Sequence, residues 1–136
     1  MAVGEIRIGG VSPRVVPMQA PARQLLEALP RTAGMPLLSG PDGASRHLDD
    51  LTADLLYAAH DAGIEQPATV TPAALRHTYI AFLARQGIRL SDLIKLVGRL
   101  PADQAAVYSA YAPSATRIGM DEVVRVMEGV ANAGEV

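Results

Sequence analysis

The first part of the chain has two short apolar runs that suit strands. Residues 5–8 and 14–18 are rich in Ile and Val, and the residues between them are mostly Gly, Ser and Pro. β-Branched side chains favour a pleated, half-buried surface, whereas Gly and Pro favour turns. The pattern therefore predicts a β-hairpin over residues 5–18.

The rest of the chain carries apolar residues at the three- and four-residue spacing of a helix that buries one face. The predicted helices span about residues 20–29, 45–62, 72–86, 91–98 and 102–109, and a tail helix spans about 119–131. In the helix over 72–86, the expected buried positions are Leu75, Tyr79, Phe82 and Leu83. The tail has an apolar stripe that is too short to be stable alone, so we expect it to dock in cis or on a neighbouring subunit.

Capping residues set the expected ends of these helices. Ser45 and Ser91 are predicted N-caps, and Thr71 followed by proline predicts a third. Glycines that follow the apolar runs, Gly63, Gly87 and Gly98, are expected to end the three helices. A hairpin followed by helices predicts a mostly helical α+β fold.

Length and composition narrow the class of protein. A chain of 136 residues favours a single domain with one modest core. No apolar run approaches the roughly 20 residues of a membrane helix, so we expect a cytoplasmic protein with no membrane partner. Cysteine is absent, and the histidines His47, His60 and His77 lack zinc-ligand spacing. We therefore expect no metal and no cofactor.

Charge is unevenly distributed along the chain, although the formal net charge is only −2. Residues 45–62 carry one cation against four carboxylates, a formal −3. Residues 71–99 carry five cations against one carboxylate, a formal +4, and the cations are Arg76, Arg85, Arg89, Lys95 and Arg99. This basic segment could contact phosphates, but both segments could equally be ordinary solvated helix faces.

Residues 70–108 resemble the end of the tyrosine-recombinase (phage-integrase) catalytic domain. That family has a Pro-His-x-x-Arg-His helix start, then a Gly-His turn, then a nucleophilic tyrosine. Here Arg76 stands at the arginine position, Arg99 follows Gly98 at the second histidine position 23 residues later, and Tyr108 stands nine residues further on. Upstream, residues 12–18 resemble the family's second hairpin strand, and residues 43–63 resemble the loop and helix that follow it.

The resemblance implies a truncated and degenerate catalytic domain in which Arg76, Arg99 and Tyr108 hold inherited catalytic positions. It also implies a DNA-contacting set, namely Arg76, His77, Arg85, Arg89, Lys95 and Arg99. Arginine suits phosphate because its planar fork can donate two hydrogen bonds at once.

Several groups of the family pattern are missing. The first family arginine would lie upstream of the hairpin, the hairpin lysine aligns with Gly9, and the first histidine aligns with Ala73. Arg99 is a permanent cation, so it cannot exchange a proton near neutral pH as a histidine does. Loss of one preorganised donor costs a rate factor of about 10²–10³, so we expect no useful cleavage by the chain alone.

Other interpretations of these residues remain open. Tyr108 could be a packing aromatic, with Tyr111 a weaker rival for its position, and Arg76 could be an ordinary surface arginine. His77 could be a buried, hydrogen-bonded histidine.

Three functions follow from the sequence. The first is a recombinase-like protein with weak or conditional DNA binding. The second is a protein-interaction or regulatory module without DNA binding, which associates with a second copy or a full-length recombinase through its C-terminal helix. The third is an enzyme completed by groups from another chain.

Overall fold

A computed structural model of the chain describes residues 4–29, 39, 40, 42–114, 118, 119, 121–123, 125 and 126. Two antiparallel strands come first, β1 (Gly4–Ile8) and β2 (Arg14–Met18). The helices that follow are α1 (Ala20–Ala28), α2 (Leu48–Asp61), α3 (Pro72–Arg85), α4 (Leu90–Val97) and α5 (Ala102–Ser109), with a short 3-10 helix (Pro67–Thr69) before α3. The predicted α+β, mostly helical class and the N-terminal hairpin are confirmed.

The hairpin has a regular register in which Ile6 lies opposite Val16 and Ile8 lies opposite Arg14. Exposure alternates along β1, with Gly4, Ile6 and Ile8 half-buried and the residues between them exposed. Gly10 in the connecting turn has φ of 85°, a conformation that glycine adopts without steric cost. The glycine in the turn and the alternating burial along β1 are thus both typical of a β-hairpin.

The chain divides into two compact units. Met1–Leu29 and Ile80–Val136 form the first, called the hairpin unit, and Pro30–Tyr79 form the second, called the middle unit. The division falls within α3. The single domain that the chain length favours stays a prediction.

The hairpin unit holds most of the buried apolar side chains of the described residues. Ile80 and Leu83 of α3 are almost completely inaccessible to solvent. In α4, Leu93, Leu96 and Val97 recur at helical spacing and are all buried. This core is built from the second half of α3, from α4, from Tyr108 of α5 and from Val123.

Part of the predicted tail helix docks in cis within the hairpin unit. Ile118 pairs with Ile88: its backbone N–H donates to the Gly87 carbonyl at 2.9 Å, and its carbonyl accepts from the Arg89 N–H at 3.2 Å. Residues 121–123, 125 and 126 are helical, and Val123 is buried. The remaining positions of the predicted stripe, from Met127 onward, lie outside the described residues.

The middle unit contains α2, the 3-10 helix and the first part of α3. Ala59 is its buried apolar residue among those described, whereas Leu48 and Tyr57 of α2 are exposed. The chain leaves α2 through Gly63, and the Ile64 N–H donates to the Ala59 carbonyl at 3.0 Å. The predicted apolar stripe of α2 is therefore buried only in part.

Two of the predicted N-caps are wrong. α2 begins at Leu48 with His47 as its N-cap, because Ser45 pairs with Ser39 in an isolated β-bridge and is extended. α4 begins at Leu90, since the N–H groups of Asp92 and Leu93 already bond the Arg89 carbonyl and Ser91 lies inside the first turn.

The other capping predictions are confirmed. Thr71 caps α3, because its hydroxyl accepts a hydrogen bond from the Ala74 backbone N–H at 3.1 Å. Gly63, Gly87 and Gly98 follow α2, α3 and α4, and all have positive φ of 70–79°. Glycine is the residue for which such a helix end costs least.

Candidate functional site

The predicted DNA-contacting side chains lie in both units. Arg76 and His77 belong to the middle unit, whereas Arg85, Arg89, Lys95 and Arg99 belong to the hairpin unit. All six residues are exposed. The interpretation of His77 as a buried histidine is therefore wrong. The catalytic positions that the resemblance gives to Arg76, Arg99 and Tyr108 stay a prediction.

The cations of the hairpin unit differ in how their charge is engaged. Lys95 forms an i,i+3 ion pair with Asp92 at 3.0 Å, and the Asp92 side chain is only 14% exposed. The Arg85 guanidinium lies over the ring of Tyr111, 5.2 Å from its centroid. Arg89 forms no ion pair with any described residue. Arg89 and Arg99 are both exposed, so either residue is accessible to an external anion.

Arg99 lies in the loop that joins α4 to α5. The residue before it, Gly98, is buried, and its N–H closes α4 by donating to the Ile94 carbonyl at 2.9 Å. Gly98 has φ of 79° and ψ of −153°, a conformation that is almost exclusive to glycine. The position of the Arg99 backbone is therefore set by a glycine-specific turn at the end of α4.

Arg14, which the sequence analysis did not single out as a site residue, contacts this same turn. It is the first residue of β2, its Nε donates to the Leu96 carbonyl at 3.0 Å, and its side chain is half-buried. An arginine at the start of a strand looks like an ordinary edge residue in sequence. Only the contact between β2 and α4 reveals its partner, 82 residues away.

Tyr108 lies on α5 and is 8% exposed. Together with other side chains of the hairpin unit it lines an apolar pocket of about 130 Å³. The other lining residues are Ala84, Ile88, Leu90, Leu93, Ala105, Ser109 and Ala112. Packing of Tyr108 as an aromatic core residue is thus observed, and its role as a nucleophile stays a prediction.

A second tyrosine lies next to Tyr108. The ring centroids of Tyr108 and Tyr111 are 6.5 Å apart with an interplanar angle of 38°, which is a favourable tilted arrangement. Tyr111 is the more exposed of the two. The Arg85 guanidinium forms a cation–π contact with Tyr111, so the aromatic pair lies between Arg85 and the pocket that Tyr108 lines.

Gly9 and Ala73, which the resemblance aligns with the family's lysine and first histidine, have no hydrogen-bond donor in their side chains. Gly9 lies in the hairpin turn, and no atom lies within 4 Å of where a Cβ would stand. Ala73 is exposed in the first turn of α3.

The described residues include neither a metal-binding cluster nor a helix that could span a membrane. Among them, no group of three or more His, Cys, Asp or Glu side chains is arranged to hold a metal ion. The longest described helices, α2 and α3, have 14 residues each, and none has both the length and the apolar character that a bilayer span requires.

Comparison of the chain with protein-family models, with curated proteins and with solved structures finds no match. The likeness to tyrosine recombinases thus rests on the intervals between Arg76, Arg99 and Tyr108 and on the hairpin-then-helices order.

Proposed function

We propose that this chain is a tyrosine-recombinase-like protein that binds duplex DNA weakly and does not cleave DNA unaided. The observation that carries the proposal is the exposure of Arg76, Arg89 and Arg99, three arginines at or near positions that contact phosphate in the resembled family. Exposed arginines lie at the protein surface, where a phosphate backbone is accessible to them.

Charge supports weak binding. The formal net charge of −2 provides no general attraction to a polyanion. Binding then depends on a few local cations, each of which releases condensed counterions from the DNA when it contacts a phosphate. Affinity should fall steeply as salt rises, but from a modest starting value.

The test is the salt dependence of affinity for a short DNA duplex, measured for the wild type and for Arg89→Ala and Arg99→Ala. Each lost phosphate contact should lower the slope of log affinity against log salt by about 1. The matched control is Arg23→Ala, which removes the same charge from α1, where Arg23 pairs with Glu27 at 2.7 Å. The control should keep the wild-type slope.

Two results would contradict the proposal. One is an affinity that does not change between low and moderate salt, because phosphate contacts would then be absent. The other is an equal fall in slope for Arg23→Ala, Arg89→Ala and Arg99→Ala, which would indicate diffuse charge with no defined surface.

The absence of unaided cleavage has its own test. No covalent complex between protein and DNA should form when the chain alone is incubated with nicked or intact duplex. A covalent complex that disappears in Tyr108→Phe would overturn this part of the proposal and would favour an active enzyme.

The apolar pocket beside Tyr108 favours a second candidate function, a protein-interaction module that associates with a second copy of the chain. The volume of the pocket suits one apolar side chain, and Leu90, which lines it, is 52% exposed. Ala105→Phe would fill the pocket, whereas Ala106→Phe would add the same side chain at an exposed neighbouring position.

Sedimentation over a range of concentrations tests this candidate. We expect dimers for the wild type and for Ala106→Phe, and monomers for Ala105→Phe. A wild type that stays monomeric at the highest concentration would exclude it.

A further inference from the structure

The start of β2 and the end of α4 are joined by one arginine side chain. Arg14 donates from Nε to the Leu96 carbonyl at 3.0 Å and from Nη1 to the Ser12 carbonyl at 3.2 Å. The first acceptor belongs to the last turn of α4, where carbonyls lack helical partners, and the second belongs to the hairpin turn. A single planar guanidinium thus holds two separate backbone segments at a fixed spacing.

The third side of this contact is Gly98. A Cβ at position 98 would stand 2.9 Å from Arg14 Nη1, 3.1 Å from Arg14 Cζ and 3.4 Å from the Ser12 hydroxyl. The guanidinium therefore lies directly against the glycine backbone. Positive φ and this close approach both require glycine at position 98.

Arg99 directly follows Gly98 in the chain. The direction of the backbone at Arg99 follows from the conformation of Gly98, and that conformation is packed against Arg14. A shift of Arg14 would therefore change the packing of the Gly98 turn that precedes Arg99.

We propose that Arg14 is a positioning residue, which fixes the Gly98 turn and thereby places Arg99 where it can bind a DNA phosphate. This inference rests on the proposed function. In this proposal the hairpin contributes to phosphate binding indirectly, because Arg14 fixes the backbone of the α4–α5 loop. It does so although Gly9 occupies the position of the family's lysine.

A double-mutant cycle separates this role from direct phosphate binding by Arg14. The variants are Arg14→Lys, Arg99→Ala and the double variant, and the measurement is affinity for a short duplex at one low salt concentration. Lysine keeps the charge but lacks the planar fork that reaches two carbonyls. Arg7→Lys is the matched control, since Arg7 is exposed on β1 of the same hairpin.

If Arg14 acts through Arg99, Arg14→Lys should weaken binding by about 3- to 10-fold in the wild type and by no further factor in Arg99→Ala. Arg7→Lys should leave the affinity within about 2-fold of the wild type. Additive losses for Arg14→Lys and Arg99→Ala would overturn the inference, as would an unchanged affinity in Arg14→Lys.

Amide hydrogen exchange at Gly98 provides a readout that does not depend on DNA. The Gly98 N–H is bonded to Ile94, and we expect it to exchange faster in Arg14→Lys but not in Arg7→Lys. Should the wild type fail to bind DNA, the proposed function fails, and this exchange rate still decides whether Arg14 fixes the turn. Unchanged exchange at Gly98 would overturn the inference.

Thermal unfolding identifies a variant that does not fold. If Arg14→Lys is unfolded, Arg14→Gln takes its place in the cycle. Its amide can still donate to the Leu96 carbonyl and support folding, but it lacks the Nη1 group that lies against Gly98. The same pattern of non-additive affinity supports the inference, and additive losses contradict it.

Discussion

Arg14 and Arg89 differ in burial and therefore in the groups that their side chains can contact. Arg14 is half-buried and donates to backbone carbonyls of two segments. Arg89 is exposed and has no ion pair among the described residues, so its charge faces solvent. Sequence gives both residues the same chemistry, and their different surroundings underlie the positioning role proposed for Arg14 and the anion-binding role proposed for Arg89.

Tyr79 gives a prediction about alkaline pH. Burial raises the pKa of the Tyr79 phenol, because a partly buried site disfavours the phenolate. With the folded pKa above the unfolded value of about 10, the neutral phenol contributes stability that is complete below that pH and is lost as pH rises through the folded pKa. We expect the free energy of unfolding above pH 10 to fall more steeply in the wild type than in Tyr79→Phe.

Denaturant unfolding at a series of pH values measures this difference. Tyr57→Phe is the control, since Tyr57 is 71% exposed and its loss should leave the wild-type pH profile unchanged. Identical profiles for the wild type and Tyr79→Phe would show that Tyr79 is not responsible.

At the scale of elements, the sequence predicts the start of α3 correctly but predicts its buried face only in part. Thr71 and Pro72 define its first turn, as predicted. Of the expected apolar face, Leu83 is buried, Tyr79 and Phe82 are half-buried, and Leu75 is 48% exposed. The helix also buries Ile80, Ala81 and Ala84, which were not predicted. Capping is local chemistry, but the buried face depends on which neighbouring elements pack against the helix.

The N-cap of α3 is open to a direct test. Thr71→Ala should lower the free energy of unfolding by about 1 kcal/mol, because the Ala74 N–H loses its acceptor. Thr71→Ser keeps the hydroxyl and should recover most of the loss. Chemical denaturation of the three proteins gives the values.

Thr52→Ala is the matched control for the cap. Thr52 lies inside α2 and its hydroxyl donates to the Leu48 carbonyl at 2.8 Å, an interaction that competes with the helix. Its replacement should be neutral or slightly stabilising. A loss in Thr52→Ala as large as that in Thr71→Ala would contradict the capping interpretation.

At the scale of the whole molecule, buried apolar residues are concentrated in one unit. Leu83, Leu93 and Leu96 of the hairpin unit are buried, whereas α2 of the middle unit contributes only Ala59 among the described residues. Regions with few buried contacts open more readily than the core. The two units should therefore differ in local stability.

Native-state amide exchange measures that difference. After correction for intrinsic rates, we expect amides of α4 and the second half of α3 to be the most protected and amides of α2 to exchange faster. Equal protection in α2 and α4 would show that burial in the described residues does not govern local stability.

Several features could be predicted from sequence because their causes are local. Ile and Val around a Gly-rich turn specify the hairpin, Thr71 and Pro72 specify the start of α3, and Gly98 specifies the end of α4. The N-caps of α2 and α4 were misplaced, because Ser45 takes part in a β-bridge with Ser39 and the Arg89 carbonyl begins the α4 turn two residues before Ser91. Short-range rules fail where a partner outside the segment competes for the same backbone groups.

The sequence by itself determined the order of a hairpin and helices. It also fixes the intervals between Arg76, Arg99 and Tyr108 on which the proposed likeness to recombinases rests. Only the tertiary structure decided that Arg14 reaches Leu96, that Tyr108 lines an apolar pocket and that Ile118 pairs with Ile88. The physical reason is distance along the chain: propensity and capping act within a few residues, whereas these contacts join segments that meet only when apolar surfaces are buried together.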